Sequence, residues 1–227
     1  GRGLRQGPRR TLERRHTEWP VGGQLLGRGS HLAGLLDGLG VTKAHLVLHD
    51  FGGPWGLAWA AAHKQAVASV TLINVGILPG YRWHKFARIW RTPVLGELFQ
   101  LCGTRPAFRF LLNADNPRRF PDAFVDRMFD DADWGMKRAV LRLYRATPDL
   151  GEATRLLGEA LKPLDLPALV IWGDDDKYLP VSYAAEQRRY FKAEVNVMPG
   201  CGHWPMIDEP EHVRDLVIPF LRRQLAK

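Results

Sequence analysis

Four short apolar blocks and one long helical stretch set the pattern of hydrophobic and polar positions along this 227-residue chain. Ala44–Leu48 is apolar apart from His45, and Ala68–Asn74 (ASVTLIN), Leu166–Gly173 (LPALVIWG) and Ala193–Met198 are rich in β-branched and aliphatic residues. Such blocks suit strands buried on both faces of a parallel sheet. His31–Leu39 repeats apolar residues at helical spacing and stops at Gly40, and the same spacing follows Gly53, where Pro54, Trp55, Leu57, Ala58, Ala61 and Ala62 recur. Ser182–Phe191 and an amphipathic run through Leu225 predict two more helices. From Pro79 to about Leu161 no strand is visible; Trp, Phe, Leu and Arg recur in helical windows broken by Pro93, Gly103, Pro106, Pro117, Pro121 and Pro148. The pattern predicts an α/β fold, a mostly parallel doubly wound sheet with a helical insertion.

Composition changes this picture little. A hydrophobic content of 45% with 25% charged residues is ordinary for a globular domain. No apolar run approaches a membrane span, and the N-terminus lacks the apolar core of a secretory signal. Cys102 and Cys201 lie far apart without metal-ligand spacing, so a reduced cytoplasmic setting is expected. The net charge is +8, but residues 1–28 hold seven arginines against Glu13 and Glu18, which is +5 of it. A basic tail with few interleaved aromatics reads as a solvated end outside the core, with a nucleic-acid site or an Arg-rich transit peptide as weaker alternatives. No nucleic acid and no membrane is expected among the partners, and the oligomeric state is left open.

The candidate chemistry sits at Ala44–Ala62, AHLVLHDFGGPWGLAWAAA, where a strand passes through an acid and two glycines into a helix. So tight a turn strains one residue and brings strand close to helix, and Gly52 and Gly53 supply the small residues expected there. Asp50 at the apex stands at the carboxyl end of the strand, with the amide of Phe51 and the helix start behind it. As a bland alternative, Asp50 only caps the helix. LVLHDFGGPWG resembles the nucleophile elbow of the α/β-hydrolase superfamily in the branch where Asp replaces Ser, and epoxide hydrolases and haloalkane dehalogenases are the members it looks most like. It departs from them at Leu48, where a small residue is usual, and at Phe51, where Trp commonly follows the Asp.

Two further groups follow in the order nucleophile, acid, histidine that the superfamily uses. The resemblance carries the acid onto Asp176, in WGDDD, and the histidine onto His203, in GCGHWP. Asp174 and Asp175 compete with Asp176 for the acid's place. His45 and His49 share a face of the elbow strand; without a further ligand at suitable spacing they read as hydrogen-bonded strand histidines, and no metal or organic cofactor is expected. A carboxylate nucleophile is already ionised near neutrality and attacks saturated carbon directly. The expected product is an alkyl ester on Asp50, hydrolysed by a water that His203 deprotonates while Asp176 orients the ring and the Phe51 amide steadies the oxyanion. An epoxide leaving as alkoxide needs a proton donor, and Tyr144, in LYRATPD, resembles the cap tyrosine that serves in epoxide hydrolases; Tyr81 is a second candidate. A departing halide needs donors instead, for which Trp83 or Trp55 are available.

The expected organisation is a basic tail at 1–28, a hydrolase core with its elbow at 29–78, a helical cap at 79–161 and the rest of the core at 162–227. The superfamily places several strands before the elbow, so with 49 residues ahead of Asp50 those strands are expected to be missing: a fragment, a misplaced start or a reduced variant. No His-Gly loop ahead of Asp50 supplies the second oxyanion amide. The expected function is that of a cofactor-independent hydrolase acting on a small apolar organic substrate with water, epoxide hydrolase-like first and dehalogenase-like second. A non-catalytic binding protein is the alternative of another class.

Overall fold

In a computed structural model of the protein, residues 23–147 and 149–226 are described. Their four strands, β1 (Ala44–His49), β2 (Val67–Ile73), β3 (Pro167–Gly173) and β4 (Lys192–Met198), form one parallel sheet in sequence order. Eleven α-helices lie among the described residues: α1 (Gly23–Gly38), α2 (Gly52–Ala62), α3 (Lys85–Arg91), α4 (Leu95–Leu101), α5 (Arg105–Ala114), α6 (Asp122–Asp131), α7 (Trp134–Ala146), α8 (Leu150–Leu161), α9 (Ser182–Glu186), α10 (Pro205–Asp208) and α11 (Pro210–Leu225). None of them is long and apolar enough to cross a membrane.

Register fixes which residues form the core. Leu46, Val70 and Ala168 stand in one row across the sheet, and Leu48, Leu72 and Val170 in the next. Strand side chains alternate, so these rows face one way, packed with Leu57 and Ala58 of α2 and Leu157 and Leu161 of α8. Ile73, Leu169, Ile171 and Met198 face the other way, against Val213 and Phe220 of α11. Both faces of β2 and β3 are thus covered, which is why their sequences read as unbroken apolar blocks. Among the described residues β1 is an edge strand, and its Val47 is 51% exposed.

Two elements differ from the sequence pattern. The helix expected from His31 begins at Gly23, inside the stretch read as a tail; residues 1–22 of that tail lie outside the described residues. Glycine lowers local helix propensity, but here it permits close packing: a Cβ on Gly29 would lie 3.2 Å from the Trp59 backbone nitrogen of α2. The helix expected over Ser182–Phe191 tightens into a 3₁₀ turn at Gln187–Arg189. Gln187 is fully buried and clamps Ile77, accepting its N–H at 2.9 Å and donating to its carbonyl at 2.8 Å.

Six helices, α3 to α8, fill the interval between β2 and β3, within which α3 packs on α4 and α7, and α5 on α6. Arg145 of α7 joins this layer together, bonding both carboxylate oxygens of Glu97 on α4, at 2.6 and 2.8 Å, and the carbonyl of Trp90 on α3. Because all four strands are parallel, the residues that follow them, Asp50, Asn74, Asp176 and His203, gather at one end of the sheet.

Candidate active site

The reversal after β1 takes two residues, Asp50 and Phe51. Asp50 adopts the left-handed region at φ 47° and is held there by the Gly53 N–H, which donates to its carbonyl at 2.9 Å. For a residue with a Cβ this strain costs on the order of 1–3 kcal/mol, and it leaves the carboxylate exposed at the apex. Close approach explains one of the two turn glycines and a third that the sequence did not single out. A Cβ on Gly53 would lie 2.2 Å from Val75 Cγ2, and one on Gly56 would lie 2.4 Å from Leu48 Cδ2. The large Leu48 is therefore accommodated by a missing side chain on the facing helix. Gly52 corrects the expectation: a Cβ there would meet nothing within 4 Å, so packing does not require it. The Phe51 N–H donates to no acceptor among the described residues.

Of the three consecutive acids after β3, Asp176 is the one that meets the histidine. Its Oδ2 accepts from His203 Nδ1 at 2.8 Å and from Asn74 Nδ2 at 2.7 Å, and its Oδ1 accepts from the amides of Tyr178 and Leu179 at 2.7 and 3.0 Å. Asp174 instead accepts the Gly200 N–H, and Asp175 pairs with Lys177. Burial pushes Asp176 up, but the His203, Asn74 and Leu179 hydrogen bonds outweigh it and hold the carboxyl below its ordinary 3.8. Burial pushes His203 down; the Asp176 bond and charge, with the Asp50 charge, more than reverse this and raise it above 6.5. Carboxylate and imidazole are thus each held toward the charged form by the other. With Nδ1 committed to Asp176, the second ring nitrogen of His203 is the one left for chemistry.

Asn74 is a site residue that the sequence pattern passed over as the last polar residue of a strand. It sits at φ 43°, fully buried, and besides Asp176 it reaches the Gly202 carbonyl at 3.3 Å and accepts the Gly173 N–H at 3.0 Å. One amide therefore ties the ends of β2 and β3 to the histidine loop. His45 and His49 are accounted for by protein partners, Ser69 Oγ and the His203 carbonyl, each at 2.8 Å.

Asp50, Phe51 and His203 open on a cavity of about 450 Å³ whose walls come largely from the inserted helices. Tyr81 and Tyr144 both line it. Burial, then the charge of Asp50, raises Tyr144; burial also raises Tyr81, against the His84 backbone amide, so both remain protonated phenols. The Tyr144 ring packs edge-on to Phe51 at 5.0 Å and beside Trp90 at 4.8 Å, and its hydroxyl makes no hydrogen bond to a described residue. Trp83 lines the cavity, whereas Trp55 does not. The sequence also gave no signal for His84, which lines the same cavity and caps α3 by accepting the Ala87 N–H at 3.3 Å, a place usually held by Asp, Asn, Ser or Thr. Burial, against the charge of Asp50, drops its pKa to about 4. Tyr178 joins the wall as well, its ring 5.3 Å from that of His203.

A parallel sheet with the strained acid after β1 and the acid–histidine pair after β3 and β4 defines an α/β-hydrolase architecture. The sequence profile of the alpha/beta hydrolase fold family matches residues 30–210, and the chain belongs to that family. It is 26% identical, over 85% of its length and 67% of the relative's, to the 2-hydroxy-6-oxononadienedioate/2-hydroxy-6-oxononatrienedioate hydrolase of Burkholderia vietnamiensis (strain G4 / LMG 22486). It is 25% identical to epoxide hydrolase 3 of Xenopus tropicalis, over 84% of this chain and 56% of that one. Among solved structures, haloalkane dehalogenase DbeA from Bradyrhizobium elkani USDA94 superposes with a TM-score of 0.74 at 23% identity, over 89% of this chain and 75% of that one. The chain spans about two thirds of the length of the first curated relatives it matches.

Proposed function

We propose that the protein is a hydrolase with Asp50 as nucleophile, working through an alkyl ester and opening small epoxides. What carries this reading is the carboxylate at the strained apex of the elbow, where a hydroxyl would be needed for acyl transfer, facing a cavity shared with His203 and two protonated tyrosines.

In the first step an Asp50 oxygen attacks an epoxide carbon, the C–O bond breaks, and the alkoxide takes a proton from Tyr144 or Tyr81. In the second, His203 removes a proton from water through its free nitrogen while Asp176 holds the other. The hydroxide adds to the ester carbonyl, the Phe51 amide faces the oxyanion, collapse expels the diol and restores the carboxylate, and the proton held by His203 returns to the tyrosinate. The inserted helices act as a cap that supplies the leaving-group donors and excludes bulk water. With a haloalkane the same attack releases halide, which needs no proton; Trp83 on the cavity wall keeps that reading second. Cleavage of a carbon–carbon bond, the activity named for the Burkholderia relative, is favoured by sequence identity. Asp50 weighs against it, because it offers no hydroxyl at the apex.

Intact-mass measurement after brief incubation with small epoxides and haloalkanes, stopped with acid, tests the proposal. An adduct that maps to Asp50 and is absent from Asp50→Asn is the expected result, and the compound that leaves it names the leaving group. No adduct from any compound on a folded chain would sink the covalent mechanism.

A further inference from the structure

The cavity continues well past Asp50. Its walls run from Asp50 and His203, past Tyr144 and Val140, to Phe129, Met136 and Lys137. Apart from histidines, the only charged residues lining it among the described residues are Asp50 and Lys137. Tyr144 and Lys137 belong to the same helix, α7, and are seven residues apart, so two turns, about 10 Å, separate the reacting end from the cation. Val140, one turn from each, lines the cavity between them and shows that all three share the face turned inward.

Lys137 is half-buried, with its ammonium 4.9 Å from the Trp134 ring and 5.9 Å from the Phe129 ring. It makes no ion pair with a carboxylate among the described residues, although Asp130, Asp131 and Asp133 are near it in sequence. Arg105 pairs with Asp130, Arg127 with Asp131, and Asp133 caps α7 through the Met136 amide. The acids of this corner are therefore occupied, and the cation faces an otherwise apolar wall. An ammonium held against aromatic rings is partly desolvated, and a carboxylate is the partner that compensates it best.

We propose that this far end is a carboxylate subsite, with Lys137 as its cation. The substrate class that fits is a medium-length amphipathic acid, with an apolar chain along α7 and the electrophilic carbon at the end opposite the carboxylate. The inference rests on the reading of Asp50 as the reacting end. Its test requires no turnover.

The affinities of octanoate and octan-1-ol for the purified chain are measured by tryptophan fluorescence at a pH where the acid is ionised, for the parent, Lys137→Met and Lys137→Arg. The parent is expected to bind octanoate about tenfold more tightly than the alcohol. Lys137→Met loses that preference while keeping its affinity for octanol, and Lys137→Arg retains most of it. Circular dichroism checks that both variants fold; Lys137→Arg, with the charge kept, separates loss of charge from damage to the helix. Equal affinities in the parent, an unchanged preference in Lys137→Met, or no measurable binding of either compound would each overturn the subsite. A clear octanoate preference with no adduct on Asp50 would retain the subsite and remove the mechanism instead.

Discussion

The two halves of the cavity are built on different terms. The half at the strand ends is polar and closed: Asp176 accepts four hydrogen bonds, and Asn74 joins β2, β3 and the histidine loop. The half made by the inserted segment is mostly apolar, and its hydrogen-bonding groups are spaced apart: Tyr81, Tyr144, His84, Gln100 and Lys137, with the indoles of Trp83 and Trp90. A network in which each atom has several partners holds a geometry to tenths of an ångström, which general base chemistry needs. A wall of rings held by packing sets shape and polarity, which decide what enters. Under the proposed mechanism the strand ends would carry the reaction, and the helices the choice of substrate.

The largest expected effect comes from breaking the first half. Asp176→Asn removes the charge that keeps His203 in its orientation and basic range, and hydrolysis of the ester should slow by about 10⁴-fold. Alkylation of Asp50 precedes the histidine's work and should be nearly unchanged, so acid-quenched samples would show the ester accumulating. In the parent, ester hydrolysis should rise with pH, because His203 acts as a base only when neutral. Asp176 still supports the ring once Asp50 is esterified, so Asp176→Asn, which leaves burial less opposed, should move the half-maximal point down. Equal slowing of both steps would show that Asp176 supports the apex as well as the base. Next in size, Tyr144→Phe probes the second half: it should slow epoxide opening by about 10²-fold and leave haloalkane turnover unchanged. Equal losses on both substrates would assign Tyr144 to packing.

A smaller effect tests the joint between the halves. Gly53→Ala drives a Cβ into Val75, which is buried and β-branched, and should cost about 1–3 kcal/mol in chemical denaturation. Val75→Ala in the same chain should return part of that, whereas Gly52→Ala should cost little, since open space surrounds it. Loss at Gly52 equal to that at Gly53 would mean that backbone freedom, not contact with Val75, governs the turn.

The same division explains what could be read from the sequence. β2 and β3 are covered on both faces, so their buried runs Val70–Ile73 and Ala168–Gly173 stand out as apolar blocks, and the acid that follows β1 is marked by the glycines its turn requires. Asp176 was picked out from three neighbouring acids by resemblance, but Asn74, which bonds it from 102 residues away, has no motif of its own. His84 and Lys137 were invisible for a related reason. His84 caps α3 and Lys137 sits on α7, in a layer set by packing among six helices, and no local spacing tells whether a side chain there faces a cavity or solvent. The start of α1 was missed because it falls inside the stretch read as a basic tail; Gly29, just beyond that stretch, serves as a crossing point over α2.

Under the proposed mechanism the charge on Asp50 would also act as a timer. While the apex is a free carboxylate, it helps hold a proton on His203, which makes that ring a poor base at the moment when no base is needed. Esterification neutralises the apex, the support for the extra proton falls away, and the imidazole becomes readier to accept one from water. In that mechanism the nucleophile and the restraint on the second step would be one group, and spending it in the first reaction would release the second.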